Sequence, residues 1–528
     1  MIYMNKKLIV VLMCLCCMSA SSQVWTDAPE EGKSHPGSDL TYKIEAQGSF
    51  SNNKTPLWLN ANKHGLSSLE SNNGYLRTAI IRPLAADSAR RWGIGYGIDL
   101  VAPFHYTSKA VVQQAFAEVR WLHGTLSAGS KEYPMELRNN RLSSGAQTLG
   151  INSRPVPQVR LALPDYWIIP KMGRWVALKG HISYGRLTDD NWQTDFTQRK
   201  SKFSEKQYFH SKAGYLRIGR DEDYYPLSIE MGLEMAAIYG GTSYAVNADG
   251  SLQTIYNEGG LKGAWHAFMP GGAESTETTY QNVSGNQLGS WVMRVNYNKD
   301  TWRLRLYADK YFEDHSGMLL VDYDGYTTGE GWQDGVKRKY FRYDLKDWQL
   351  GMELNLKYGS WLRDIVVEYL YTKYQSGPIY HDHTKTIADH IGGNDSFYNH
   401  YISNGWQHWG QVIGNPLFRS PLYNDDGTIE VKDNRFVAYH LGLSGEPTER
   451  LSYRLLATYQ EGVGSYNIPY TQKHHNVSFM LEANYALPHN WDIRGAYGMD
   501  FGYILGHNTG FQITIAKSGL LTKKGKLK

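Results

Sequence analysis

VSFMLEANYAL (Val477–Leu487) sets Val477, Phe479, Leu481, Ala483 and Tyr485 on one side of an extended chain and Ser478, Glu482 and Asn484 on the other. Successive side chains of a strand point to opposite faces, so this is a strand with one apolar face and one polar face. WDIRGAYGMDF (Trp491–Phe501) follows within four residues and aligns Trp491, Ile493, Tyr497, Met499 and Phe501 in the same way. WRLRLYADK (Trp302–Lys310) places Trp302, Leu304, Leu306 and Ala308 against Arg303, Arg305, Tyr307 and Asp309. Apolar faces with aromatic ends, backed by charged faces, suit strands that meet lipid outside and a wet lumen inside.

The pattern recurs along most of the chain. Segments near 41–50, 75–84, 93–102, 112–122, 124–130, 157–163, 174–185, 207–219 and 227–239 carry it, then 290–298, 301–310, 348–358, 362–374, 435–445, 451–461, 475–486, 491–502 and 509–517. That makes eighteen strands. If the chain starts on the periplasmic side, even-numbered connections should be short turns and odd ones longer loops. His123, Asn298–Asp300, Gly359–Trp361 and Leu487–Asn490 are short breaks at even positions, whereas Lys131–Val156, Gly240–Gly289, Tyr311–Asp347 and Gln375–Asn434 are long and odd. The expected fold is all-β: a transmembrane outer-membrane barrel of about eighteen antiparallel strands, with long extracellular loops and short periplasmic turns.

Composition agrees. The 528 residues include 53 Gly and 39 Tyr, and mean hydropathy is −0.50. A helical membrane protein would be more apolar, but a barrel strand shows lipid only its alternate residues. With 55 Lys and Arg against 51 Asp and Glu, the net charge of +4 gives no bulk attraction to nucleic acid. Lys6 and Lys7 followed by LIVVLMCLCCM (Leu8–Met18) and small residues read as a signal peptide cleaved after Ser22. Cys14, Cys16 and Cys17 all lie within it, so the mature chain is expected to have no disulfide, thiolate metal site or Cys nucleophile. The expected division is a signal peptide over 1–22, a short periplasmic segment over 23–40, a barrel over 41–517 and a basic tail over 518–528.

Two loop segments stand out. ELRNNRLSSGAQTLGINSRPVPQVRL (Glu136–Leu161) combines Arg138, Arg141 and Arg154 with amides and hydroxyls. Guanidinium forks suit carboxylates and sugar hydroxyls, and they equally suit carboxylates of the lumen wall, which would hold the loop inside the barrel. Two prolines keep RPVPQ (Arg154–Gln158) extended, as a wall-lining segment would be. FYNHYISNGWQHWGQVIGNPLF (Phe397–Phe418) gathers Tyr398, Tyr401, Trp406 and Trp409 in a segment without period. Such rings stack on the apolar faces of sugars, or pack on one another to close a long loop. His381, Asp382 and His383, with His390 and His400 nearby, are a weak metal pattern, and no metal or cofactor is expected. Asp189/Asp190 and Asp221/Glu222/Asp223 read as solvated turns. No nucleophile elbow, HExxH or phosphate loop occurs.

LRNNRLSSGAQTLGINSRPVPQVRL and FYNHYISNGWQHWGQVIGNPL, supported by GNQLGSW (Gly285–Trp291) and LRLYADKYFEDHSGM (Leu304–Met318), resemble the capsule assembly Wzi family in its Bacteroidetes branch, over roughly residues 40 to 519. The resemblance implies an eighteen-stranded outer-membrane barrel that is not an enzyme. It implies a lectin-like protein holding polysaccharide at the cell surface in capsule assembly, with Arg138, Arg141, Arg154, Tyr398, Tyr401, Trp406 and Trp409 toward the glycan. The expected partners are capsular or other surface polysaccharide and outer-membrane lipids, with no nucleic acid, and the chain is expected to be a monomer in the outer membrane of a Gram-negative bacterium. Enterobacterial relatives have a periplasmic helical bundle, whereas Gln23–Leu40 has no helical period. The alternative is a porin for sugars or acids, on the strength of lumen charges such as Arg303, Arg305 and Glu482.

Overall fold

Alternation closes into a cylinder. The computed structural model describes residues 39–88, 91–220, 224–247, 249–269, 285–313, 347–375 and 396–521, and the backbone alone of 321–322, 340–341, 380–381 and 390–391. The expected signal peptide, nearly all of 23–40 and most of the basic tail lie outside these residues, as do Asp221, Glu222 and Asp223. The wall runs β1 (Thr41–Ser51), β2 (Asn72–Arg82), β3 (Trp92–Phe104), β4 (Val111–Trp121), β5 (Gly124–Ser130), β6 (Gln158–Ile168), β7 (Val176–Arg186), β8 (Tyr208–Ile218) and β9 (Leu227–Tyr239). It continues through β10 (Asn286–Asn298), β11 (Trp302–Glu313), β12 (Trp348–Leu356), β13 (Asp364–Tyr371), β14 (Phe436–Gly445), β15 (Leu451–Gly464), β16 (Pro469–Leu487), β17 (Trp491–Gly502) and β18 (Asn508–Leu520). Each strand pairs antiparallel with the next, and β18 pairs with β1 from Thr41↔Leu520 to Ser51↔Gly510, so the sheet has no edge.

All eighteen expected strands are present in order, and parity holds: no connection at one end exceeds the nine residues of 83–91, while those at the other reach 372–435. The largest boundary differences have local causes. β6 continues through Pro164 because the register against β7 shifts between Leu163 and Trp167, leaving the proline at an irregular point where no ladder donor is needed. β16 begins six residues before its expected start, because the β15 register shifts between Gly462 and Gly464 and brings Gly464 opposite Pro469.

The two faces differ as the alternation requires. Val477, Leu481, Tyr485, Tyr497, Met499, Ile513 and Ile515 are exposed on the outer surface, while Ser478, Met480, Glu482 and Asp500 are buried within. Trp92 stacks on Trp121 with centroids 5.9 Å apart at the short-turn end, an arrangement expected of an interfacial girdle.

The lumen departs from the expected wet interior. The first long loop (52–71), the third (131–157) and the seventh (372–435) supply Trp58, Leu59, Leu142, Val156, Trp406, Val412, Leu417 and Phe418 to one buried cluster with the wall residues Val366, Phe436 and Met480. The barrel is filled by a folded plug. The lumen charges noted in the sequence lie in the short-turn half and are largely paired, Arg305 with Glu353 and Glu482 with Arg454, both at 2.8 Å, while Arg303 Nε donates to Asn298 Oδ1 at 3.3 Å.

An arginine at Leu481, on the outer band, should cost about 2–4 kcal/mol in a bilayer, whereas Tyr503→Arg in a loop should be nearly neutral. Urea unfolding in liposomes measures both.

Candidate functional site

The plug is positioned by buried carboxylates of the wall. Asp309 of β11 and Glu368 of β13 are both inaccessible to solvent. Arg138 pairs with Asp309 and lies over the Tyr307 ring, 5.3 Å from its centroid. Glu368 accepts the Ser143 hydroxyl at 2.6 Å, the Ser144 amide at 2.7 Å and the Tyr307 hydroxyl at 2.5 Å. His440 of β14 donates from Nε2 to the Leu142 carbonyl at 2.8 Å. Buried charges are tolerated only when their bonding capacity is met, and the third loop meets it with the Arg138 guanidinium, the Ser143 hydroxyl and the Ser144 amide.

The seventh loop then docks on the third. The Tyr398 hydroxyl donates to the Gln147 carbonyl and accepts the Asn415 amide at 2.9 Å, and Trp406 Nε1 donates to the Thr148 carbonyl at 3.0 Å. Asn152 Nδ2 donates to the Val412 carbonyl at 3.0 Å. Gly414 is required where the two loops touch, because a Cβ there would run into the Tyr398 hydroxyl and the Gln147 carbonyl.

On the long-loop side, Gln407–His408 and Gln411–Val412 form a tight hairpin whose two turn residues, Trp409 and Gly410, have φ of 56° and 76°. Two positive φ values in a two-residue turn favour Asn-Gly, and a tryptophan there is strained. Three contacts hold it. Its amide donates to Asp189 Oδ2 at 3.1 Å, its indole N–H donates to Thr188 Oγ1 at 3.2 Å, and the Arg154 guanidinium lies 4.3 Å from its ring centroid. Asp189 is thus no solvated turn; it is fully buried and also accepts Gln407 Nε2. Arg154 donates to Thr107 and Ser108 hydroxyls at 2.7 Å each, and burial pushes its guanidinium down to about 10. His408 is held neutral by burial: Nδ1 donates to the Arg154 carbonyl at 2.9 Å and Nε2 accepts the Thr188 amide.

The seven candidate residues therefore divide. Trp406 (0% exposed) and Tyr398 (1%) are buried and partnered within the plug, and Arg138 (8%) is buried against Asp309 and Tyr307 of the wall. Arg141 is exposed on the plug's other side, where Arg454, near the short-turn end of β15, donates to its carbonyl. Tyr401 (78% exposed) and the half-buried Trp409 are at the long-loop surface, with Arg154 stacked on the latter. RPVPQ runs along the wall as expected, Pro155 accepting the Ser130 hydroxyl at 3.2 Å. His381, Asp382, His383 and His390 lie outside the described side chains, and His400 Nδ1 accepts the Ser403 amide at 3.0 Å. Sequence reasoning missed a second aromatic cluster at this end, in which His474 stacks on Tyr470 (4.0 Å) and faces Tyr503 (5.7 Å). It joins residues of β16 to the 503–507 loop, so no contiguous motif marks it.

No family model and no curated protein sequence matches the chain. Among solved structures it is similar to Wzi of Escherichia coli, an outer-membrane protein involved in group 1 capsule assembly and described as a carbohydrate-binding β-barrel. The likeness covers 90% of this chain and 83% of that one, at 13% identity and a TM-score of 0.53. It is also similar to OccAB4 of Acinetobacter baumannii (10% identity, 92% and 99% covered, TM-score 0.42) and OprD of Pseudomonas aeruginosa (9%, 92% and 95%, 0.42). At these identities the likeness shows the fold, that of an eighteen-stranded outer-membrane barrel.

Removing one partner of a buried ion pair strands the other. Arg138→Ala should therefore lower stability by about 3–5 kcal/mol in denaturant titration, and Arg138→Leu with Asp309→Leu should recover much of it. Asp433, in the seventh loop, is buried and pushed up to about 7, with Gly464 N–H and Gln460 as partners. Its raised pKa stabilises the fold fully below the ordinary carboxylate range, and that contribution is lost as pH rises through about 7. Between pH 5 and pH 8 the wild type should lose thermal stability that Asp433→Asn retains.

Proposed function

We propose that the protein binds polysaccharide at the long-loop end of its plug and holds it at the cell surface, assisting capsule assembly or attachment. The observation that carries this reading is Trp409, kept in a strained left-handed turn by Asp189, Thr188 and Arg154. Backbone strain persists where the surroundings over-determine it, and such positions cluster at ligand clamps. Trp409 and Tyr401 offer apolar ring faces with polar edges to a sugar, and Arg154 works from beneath as the support of the indole. Arg138, Tyr398 and Trp406 act by keeping that surface in place. The likeness to a carbohydrate-binding barrel agrees with the reading without carrying it.

The same proposal makes the protein a non-enzymatic monomer of the outer membrane, exported through a signal peptide cleaved after residue 22 and in contact with outer-membrane lipids. A second reading, a channel for sugars or acids, draws on two cavities against the wall, of about 90 and 500 Å³, that share Tyr133, Arg160 and His181. The packed plug core argues for a closed lumen.

Trp409→Ala and Tyr401→Ala together should reduce polysaccharide captured by the purified barrel at least 10-fold while leaving its thermal unfolding near wild type. Planar-bilayer recording should show no steady conductance. A stable open level would favour the channel.

A further inference from the structure

The larger of the two cavities, about 500 Å³, lies beneath the plug and has features that the surface reading does not use. Pro83, Leu84, Pro164 and Asp165 line it toward the short-turn end of the wall, where Pro164 and Asp165 are exposed and mark its mouth, and Tyr133, Pro134 and Glu136 of the third loop line it from above. Hairpin parity puts that mouth on the periplasmic side. The smaller pocket above shares part of this roof and ends among Arg154, Leu149 and Ile413, inside the plug.

The charges in this cavity are not evenly matched. Lys131 pairs with Glu118 at 2.6 Å, Lys179 with Glu136 at 2.7 Å, and Glu132 with Arg77 at 3.2 Å and with Gln113 at 2.8 Å. Asp165 is exposed at the rim. Arg160 is the remaining cation. Val159 and Leu161 on either side of it are exposed on the outer face, which directs Arg160 into the lumen. Its guanidinium lies 4.1 Å from the Tyr133 ring centroid, and no described carboxylate pairs with it. The Tyr133 hydroxyl is in turn bonded to Ser127 Oγ at 2.9 Å, so ring and guanidinium are held as one stacked unit. A stacked guanidinium keeps its fork of in-plane N–H groups free for a planar anion.

Gln114, Thr125, Ser127 and His181 add hydroxyl, amide and imidazole groups to the wall, and Phe116 and Tyr133 add apolar ring surface. That mixture, in a volume within the range of small-ligand sites, suits a sugar better than a lipid chain or a bare ion. We propose that this cavity binds a saccharide bearing a carboxylate or phosphate, admitted from the periplasmic side, with Arg160 as the fork that holds its charge. The site goes beyond the surface reading and is independent of it: polymer capture at Trp409 can fail with this binding intact, because the two lie at opposite ends of the plug.

Calorimetric titration of the full-length barrel in detergent with glucuronate, glucose 6-phosphate and glucose tests the proposal. At least one acidic sugar should bind 10-fold or more tightly than glucose, and the better of the two identifies the charged group. Arg160→Gln should reduce that affinity at least 10-fold with glucose unaffected, and Arg160→Lys, which keeps the charge but not the fork, should fall between. Equal binding of acidic and neutral sugars, or unchanged binding by Arg160→Gln, overturns the proposal. Should Arg160→Gln fail to show the heat-modifiable migration of a folded barrel, Ala162→Cys gives a second readout. Labelling of its thiol by a water-soluble maleimide should be slowed by the acidic sugar and not by glucose, and unprotected labelling refutes the site.

Discussion

Two carboxylates without access to water, Asp309 and Glu368, organise the interior of this barrel. Each faces inward from the wall and would be costly if left unpaired. Arg138 supplies the charge, and Ser143, Ser144 and Tyr307 supply the hydrogen bonds. Satisfying them requires residues 138–148 to enter the lumen and adopt one backbone path. The carbonyls of that path are then the acceptors for Tyr398 and Trp406, so the seventh loop follows the third. Bonds of this kind reinforce one another in low dielectric, and a half-satisfied network would be worse than none.

The plug separates two faces of the lumen. Above it, hairpin strain presents Trp409 at the surface. Below it, the third loop roofs a chamber whose charged groups are paired apart from the Tyr133-stacked Arg160 and the rim residue Asp165. Neither face involves the outward band of Val477, Leu481, Ile513 and their neighbours, which is exposed on the opposite side of the wall. The outward surface and the packing of the plug are therefore carried by alternate residues of the same strands.

Much of the candidate site was visible as composition without being visible as position. Arg138, Tyr398 and Trp406 are chemically suited to sugars, and the same chemistry suits them to buried carboxylates and backbone carbonyls. Asp189 looked like a turn acid and is instead the buried acceptor that holds the Trp409 hairpin. A lone arginine at a lumen-facing strand position carries no sequence signal; that Arg160 stacks on Tyr133 without a carboxylate pair is a property of the neighbours that β4, β5, β7 and the third loop bring to it.

The strands, their number, their order and the face each turns outward were decided by sequence alone, since alternation is a local property with a period of two and hairpin parity follows from loop length. The filling of the lumen was decided only by tertiary structure. Whether an arginine meets a sugar or an aspartate depends on residues such as Asp309, 171 positions away from Arg138, and no local pattern encodes a contact across that distance.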